Sequence, residues 1–301
     1  MRIGFGSTDW NRDFNFYTYC DVPLGETDPK LTHFSVQKDI DRGIIDVVRE
    51  FRAVNPDLQI LASVWGVPAW MTSNKQIMHG LFNSEFAEVY ADYLVKSVQA
   101  YAALGIPIQY LTIQNEPATG GDRATPAAMW TWEQERDVLL AVGKRFADNR
   151  IGTKLWLMDH NFDMAQSFAK PLLDDPRVKR ITQMVAFHDY RGRPEEMALL
   201  GRQHPDVPAV LSERGEDGMT LIRRGKMTAF DAENRSLRRR HGTGHEVLAS
   251  ELRLMTQTAC DALAVEGHSH ATPHQLSGQG VDFPTEQPGP GEKYWPRRHR
   301  K

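Results

Sequence analysis

Glu116 and Glu213 are the residues of this 301-residue chain whose type and placement best suit chemistry. Glu116 stands in Gln114-Asn115-Glu116-Pro117, and Glu213 closes Leu211-Ser212-Glu213. Each follows a short apolar run that reads as a strand, so two carboxylates from different strands can face each other across one pocket. Such a pair suits glycoside hydrolysis, in which a protonated acid supplies the leaving oxygen and an ionised partner sits across the anomeric carbon. Trp65, Trp70 and Tyr190 could form a flat apolar platform for a sugar ring, and Asn115 could bond a ring hydroxyl. Taken singly these signals are weak. Asn-Glu-Pro arises by chance, Ser-Glu is uninformative, and His188 could be a half-buried histidine bonded to backbone.

The elements that must position them make the case stronger. Strand candidates are Ile3 to Gly6, Leu58 to Ser63, Ile108 to Ile113, Lys154 to Met158, Met184 to Phe187 and Pro208 to Leu211. Between them lie helix-period segments at Asp39 to Phe51, Phe86 to Leu104, Ala127 to Phe146, Met164 to Leu173 and Pro194 to Gln203. Gly105 sits where a helix end wants a left-handed residue. Apolar strands alternating with helices imply a parallel sheet covered on both faces, and a doubly wound sheet and a (β/α)-barrel both fit. Polar and aromatic residues recur immediately after the strands: Ser7-Thr8-Asp9-Trp10, Val64-Trp65-Gly66, Gln114 to Pro117, Asp159-His160-Asn161, His188-Asp189-Tyr190 and Ser212-Glu213-Arg214. In a parallel barrel all those ends open on one face, where catalytic groups are carried.

Composition narrows the partners. Hydrophobic residues make up 41% and charged residues 25%, with a formal net charge of −3, so no basic field gathers nucleic acid or an anionic membrane. No apolar run approaches the roughly 20 residues of a membrane span. The start, Met1 to Gly6, is too short an apolar stretch for a secretory signal, and no compartment follows from the sequence. Two cysteines, Cys20 and Cys260, imply no disulfide framework. Phosphate-binding glycine loops and a Gly-x-Ser-x-Gly elbow are absent. From about residue 214 the texture changes to basic clusters (Arg223 to Lys226, Arg238 to His241), His268-Ser269-His270 and a breaker-rich stretch from Pro284 to Gly291. The expected division is therefore a folded unit over 1–213 and a poorly packed or disordered basic, His-rich tail over 214–301, with one helix-period run from Glu246 to Leu263. The tail histidines read as a histidine-rich patch rather than a zinc site, and Arg238 to His241 as a solvated run.

The ordered set of motifs resembles the catalytic barrel of the glucosylceramidase family, glycoside hydrolase family 30. Arg2 to Asp9 with Tyr17 to Asp21, Leu31 to Val36 with Lys38-Asp39, and Ala62 to Met71 are similar to successive stretches of that barrel. Gln114 to Pro117, Ala186 to Tyr190 and Leu211 to Glu213 follow in the family's order. The resemblance implies a (β/α)8 TIM barrel in which Glu116 ends the fourth strand as acid/base and Glu213 ends the seventh as nucleophile. It further implies that Asn115 meets the sugar 2-hydroxyl, that Asp9 and Trp65 hold the far hydroxyls of a glucosyl unit, and that His188 and Tyr190 line the pocket near the nucleophile. No cofactor or metal is called for. The implied activity is retaining hydrolysis of a β-glucoside, glucosylceramide first, with β-1,6-glucan or xylan as the related alternative; the carboxylates should then lie about 5–5.5 Å apart. The partner would be a glycolipid or oligosaccharide. The recognisable strands correspond to the second through seventh, which predicts an incomplete, six-stranded open barrel. An inactive, truncated remnant is the reading from a different class.

Overall fold

The structure is a computed structural model that describes residues 1–9, 11, 13–118 and 125–213. Its described strands are β1 (Arg2–Gly4), β2 (Leu61–Ser63), β3 (Met78–Leu81), β4 (Tyr110–Thr112), β5 (Ala127–Met129), β6 (Lys154–Asn161), β7 (Thr182–His188) and β8 (Ala209–Glu213). Six of them form one parallel sheet in the order β1-β2-β4-β6-β7-β8. These are the six strands expected from the sequence, with β1, β2 and β4 shorter than expected and β6, β7 and β8 longer. β3 and β5 pair separately as a two-stranded parallel sheet. The sheet curls far enough that Arg2 on its first strand reaches the carboxylate of Glu213 on its last. It is thus part of a (β/α)8 barrel; among the described residues no further strand closes it. The expectation for 214–301 lies outside the described residues.

Connecting the strands are α1 (Gln37–Asp41), α2 (Ile44–Val54), α3 (Ala87–Ala103), α4 (Trp132–Asp148), α5 (Lys170–Asp174), α6 (Pro176–Ile181) and α7 (Pro194–Gln203). The main core lies between helices and sheet, with Tyr90, Leu94, Val98, Val138, Leu139 and Val142 from the helices meeting Leu155, Leu157 and Val185 from the strands. A second cluster holds only strand residues, Leu61, Tyr110, Trp156, Met184, Ala186 and Val210. Its members therefore face away from the helices, into the concave side of the sheet, where the Tyr110 and Trp156 rings stack at 4.5 Å. Two residues further along each strand, the same face carries Ser63, Thr112, His188 and Ser212, because side chains on one face of a strand recur every second residue. The concave face thus has an apolar floor and a polar layer above it.

Three sequence expectations are corrected. The run from Asp39 to Phe51 is two helices, because Gly43 takes φ 75° and turns the chain between α1 and α2. The helix expected from Ala127 begins at Trp132. Thr131 and Gln134 form a capping box at its start, and the residues before it pair as β5. Trp70 is no platform: it is 3% exposed, packs edge-on against Phe86 and donates its indole N–H to the Cys20 carbonyl at 2.9 Å. Gly105 does take the left-handed conformation after α3, with φ 79°.

One buried polar hub anchors the first third of the chain. Asp39 in α1 is fully buried and accepts hydrogen bonds from the hydroxyls of Tyr17 (2.6 Å), Tyr19 and Tyr101. The hub ties the segment after β1 to α3. Asp39→Ala is expected to deprive three buried phenols of their shared acceptor and cost about 3 kcal/mol of unfolding free energy. The check is a lower urea midpoint at unchanged slope.

Candidate active site

The parallel ladder places the carboxyl ends of all six strands on one rim, and most of the sequence-nominated residues assemble there. His188, the last residue of β7, is fully buried and sits at the centre. Its Nδ1 lies 3.0 Å from Glu116 Oε1, and its Nε2 lies 3.1 Å from Asp159 Oδ1 and 3.9 Å from Glu213 Oε2. Glu116 and Glu213 thus converge on opposite nitrogens of one imidazole. Glu213 is further held on Oε2 by Arg2 and on Oε1 by the Tyr190 hydroxyl at 2.8 Å. Asn115 is buried, and its Oδ1 accepts from Arg2 at 2.6 Å. Trp65 is also buried, with the Arg2 guanidinium 4.5 Å over its ring. Asp9 stands exposed at the rim, where partial desolvation and then the charges of Glu213 and Glu116 hold its carboxyl above the ordinary range.

Sequence reasoning placed Asp159 at a strand end and Arg2 in the family-like stretch but gave no role to these two groups, which organise the rim. Asp159 is fully buried and accepts from five donors: Arg2 at 2.8 Å, Ser63 and Thr112 at 2.7 Å, Ser212 at 2.6 Å and His188 at 3.1 Å. Those donors come from β1, β2, β4, β8 and β7, so one carboxylate is bonded to every other strand of the sheet. Asp159 can do this because it is the extra residue of a bulge in β6: Met158 pairs with Ala186 and His160 with Phe187, leaving Asp159 unmatched. Met158 and Asp159 both take positive φ, 73° and 52°. Met158 consequently joins the helix-side core while Asp159 turns to the concave face. The available sequence signal was a charged residue at the beginning of the family-like stretch (Arg2) and another at the end of an apolar strand (Asp159).

The electrostatics follow from this wiring. Although burial alone would lower the His188 pKa, hydrogen bonds to Asp159 and Glu116 and the charge of Asp159 outweigh it and raise the group to about 9. Arg2 beside it, with hydrogen bonds from His188 and Ser212, holds the Asp159 carboxyl well below the usual range against the opposing pull of burial. His188 is therefore an imidazolium at neutral pH. A histidine raised in the folded state from 6.5 to about 9 stabilises the fold fully below about pH 6.5 and loses that contribution as pH rises through about 9. Relative to His188→Gln, wild-type stability is expected to shrink by roughly 1–3 kcal/mol across that window, measured by urea unfolding at stepped pH. A difference that stays flat with pH would show that the imidazole is neutral throughout.

Glu116 has a backbone φ of 46°, and its amide donates to the Asp159 carbonyl at 3.0 Å. A non-glycine residue in the left-handed region persists where its surroundings fix it, and such residues cluster at functional sites. Asn161 Nδ2 lies 3.4 Å from Glu116 Oε1, and Asn161 Oδ1 accepts the backbone amides of Tyr190 and Arg191. That residue ties the Glu116 side to the Tyr190 side. Among the described residues no group of three or more His, Cys, Asp or Glu is arranged to hold a metal ion, and no helix is long and apolar enough to cross a membrane.

A curled parallel sheet with helices outside and carboxylates gathered at its strand ends is the arrangement of a (β/α) barrel that carries its polar groups on the carboxyl-end rim. Residues 1–250 match the glycosyl hydrolase family 30 TIM-barrel domain, and the chain belongs to that family. It is 32% identical over 223 residues to an endo-1,6-β-D-glucanase of Neurospora crassa, covering 71% of this chain and 44% of the relative. The lysosomal acid glucosylceramidase of Mus musculus is 26% identical over 218 residues, covering 69% and 41%. Among solved structures, the endo-β1,6-glucanase BT3312 superposes with a TM-score of 0.64 at 26% identity, over 70% of this chain and 47% of that one. The chain thus spans less than half the length of these relatives.

Proposed function

We propose that this chain carries the two-carboxylate machinery of a retaining β-glucosidase, with Glu213 as nucleophile and Glu116 as acid/base. The observation that carries the reading is the convergence of both carboxylates on His188 while Arg2 and Tyr190 hold Glu213. Arg2 places its guanidinium against one oxygen of the nucleophile, and the Tyr190 hydroxyl fixes the other. The imidazolium of His188 shares a proton with Glu116 across 3.0 Å, so moving that proton from Nδ1 to Oε1 converts Glu116 into the acid.

In the first step a Glu213 oxygen bonds to the anomeric carbon, the glycosidic C–O bond breaks, and the leaving oxygen takes the proton from Glu116. In the second step Glu116 takes a proton from water, the water oxygen bonds to the anomeric carbon, and Glu213 departs as carboxylate. Asn115, oriented by Arg2, offers its amide N–H to the 2-hydroxyl, and Asp9 and Trp65 hold the far side of the sugar. No cofactor enters these steps.

β-1,6-linked glucan is the leading substrate, because the relatives of higher identity are named endo-1,6-β-D-glucanases. Glucosylceramide is the second reading, supported by the more distant glucosylceramidases. A panel of β-1,6-glucan, glucosylceramide and nitrophenyl glucosides, xylosides and fucosides separates them. An activated 2-fluoroglucoside should become covalently attached at Glu213. Soluble, folded protein that neither turns over any member of the panel nor takes the label would sink the proposal and favour an inactive remnant.

A further inference from the structure

Helix α4 sends one carboxyl group into the interior. Glu135, in the first turn of α4, is 1% exposed. Its Oε1 accepts the backbone amide of Met158 at 2.8 Å, while its Oε2 has no hydrogen-bond partner. A glutamate so deep in a helix–sheet interface is costly unless it is hydrogen-bonded, paired or neutral. Burial, opposed by the Met158 amide and reinforced by the charge of Asp159, pushes its carboxyl up to about 8, so it is mostly protonated at neutral pH.

The amide it receives is at a special place. The β4–β6 ladder ends where Thr112 meets Trp156, so Met158 lies beyond the last described β4 pairing. Met158 is also the first of the two positive-φ residues that make the bulge. A buried amide that has left its ladder needs another acceptor, and Glu135 supplies one from the helix layer. The next residue, Asp159, carries both the five-donor carboxylate and the carbonyl that receives the Glu116 amide.

We propose that Glu135 is a positioning residue: by holding the Met158 amide it fixes the bulge that aims Asp159 into the polar layer and seats the Glu116 backbone. This rests on the reading of Glu116 and Glu213 as the reacting carboxylates. Glu135 touches no substrate and acts only through the bulge.

The test compares Glu135→Gln, which keeps an acceptor of the same shape, with Glu135→Leu, which removes it. Glu135→Leu should lower kcat about 10- to 100-fold with KM within about twofold, the signature of a misplaced catalytic group. Glu135→Gln should stay within about threefold of wild type in kcat, since it still accepts the amide. Amide hydrogen exchange over 154–161 should quicken in Glu135→Leu and not in Glu135→Gln, with near-UV circular dichroism unchanged in both. Glu135→Met carries the same prediction as Glu135→Leu if the latter does not fold. Wild-type kcat in Glu135→Leu, equal damage by both substitutions, or unchanged exchange in Glu135→Leu would overturn the proposal. Should the wild type hydrolyse no glycoside, the activity reading fails separately, and the exchange comparison still decides whether Glu135 holds the bulge.

Discussion

Glu116→Gln is expected to lower kcat/KM about 10²–10⁴-fold on a β-glucoside with an alkyl leaving group, and far less on a dinitrophenyl β-glucoside. The reason lies in what the acid supplies. An alkoxide leaves badly without a proton, whereas a dinitrophenolate is stable without one. Glutamine preserves shape and still offers Oε1 to His188 Nδ1, so the site should remain assembled. With the good leaving group, glycosylation proceeds and the covalent enzyme accumulates, because water then lacks its base. Added azide attacks without a base and should restore turnover, giving β-glucosyl azide, since it enters on the face opposite Glu213. Measured rates on the two substrates with and without azide decide the matter. Equal losses on both, with no azide product, would remove Glu116 from the acid/base role.

The residues in that prediction were legible because parallel strands make strand ends converge. Gln114 to Pro117, His188 to Tyr190 and Ser212-Glu213 each follow an apolar run, and the ladder brings Glu116, His188, Tyr190 and Glu213 to one rim. Their spacing along the chain said nothing of the distances between them. Arg2 and Asp159 were not assigned because their importance comes from side-chain reach and from a bulge. Two consecutive left-handed residues at Met158-Asp159 carry no glycine to announce them. Glu135 reads in sequence as one of several charges in the first turn of α4, and only its burial against the bulge distinguishes it from Glu133. The capping box at Thr131 and Gln134 was readable and would have moved the start of α4 to its observed place. β3 and β5 lack the β-branched residues that mark strands, and their pairing is a tertiary event between loops.

Asp159→Asn should be the most damaging single substitution outside the two carboxylates proposed to react. The aspartate faces Arg2 and His188, two cations buried or nearly so, and its removal leaves Glu213 and Glu116 as their nearby counter-charges. Breaking a buried charge pair by neutralising one partner costs about 3–5 kcal/mol, because the surviving charge stays desolvated. The amide of asparagine also points donors at some of five groups that themselves donate. His188 would lose both its hydrogen bond to the Asp159 carboxylate and that charge, so its pKa should fall from about 9 toward 6.5. The proton shared with Glu116 would then leave the site near neutral pH. The pH sign of the wild-type aspartate is the reverse of that of the histidine. A carboxylate held below its ordinary range stabilises the fold above the ordinary value of 3.8, and that contribution disappears as pH falls through its folded pKa. Urea unfolding at neutral pH measures the stability loss, and an NMR titration of the His188 ring measures the shift. If Asp159→Asn unfolds like wild type and His188 still titrates near 9, Asp159 is not the group that charges the histidine. Glu116 alone would then have to hold the imidazolium.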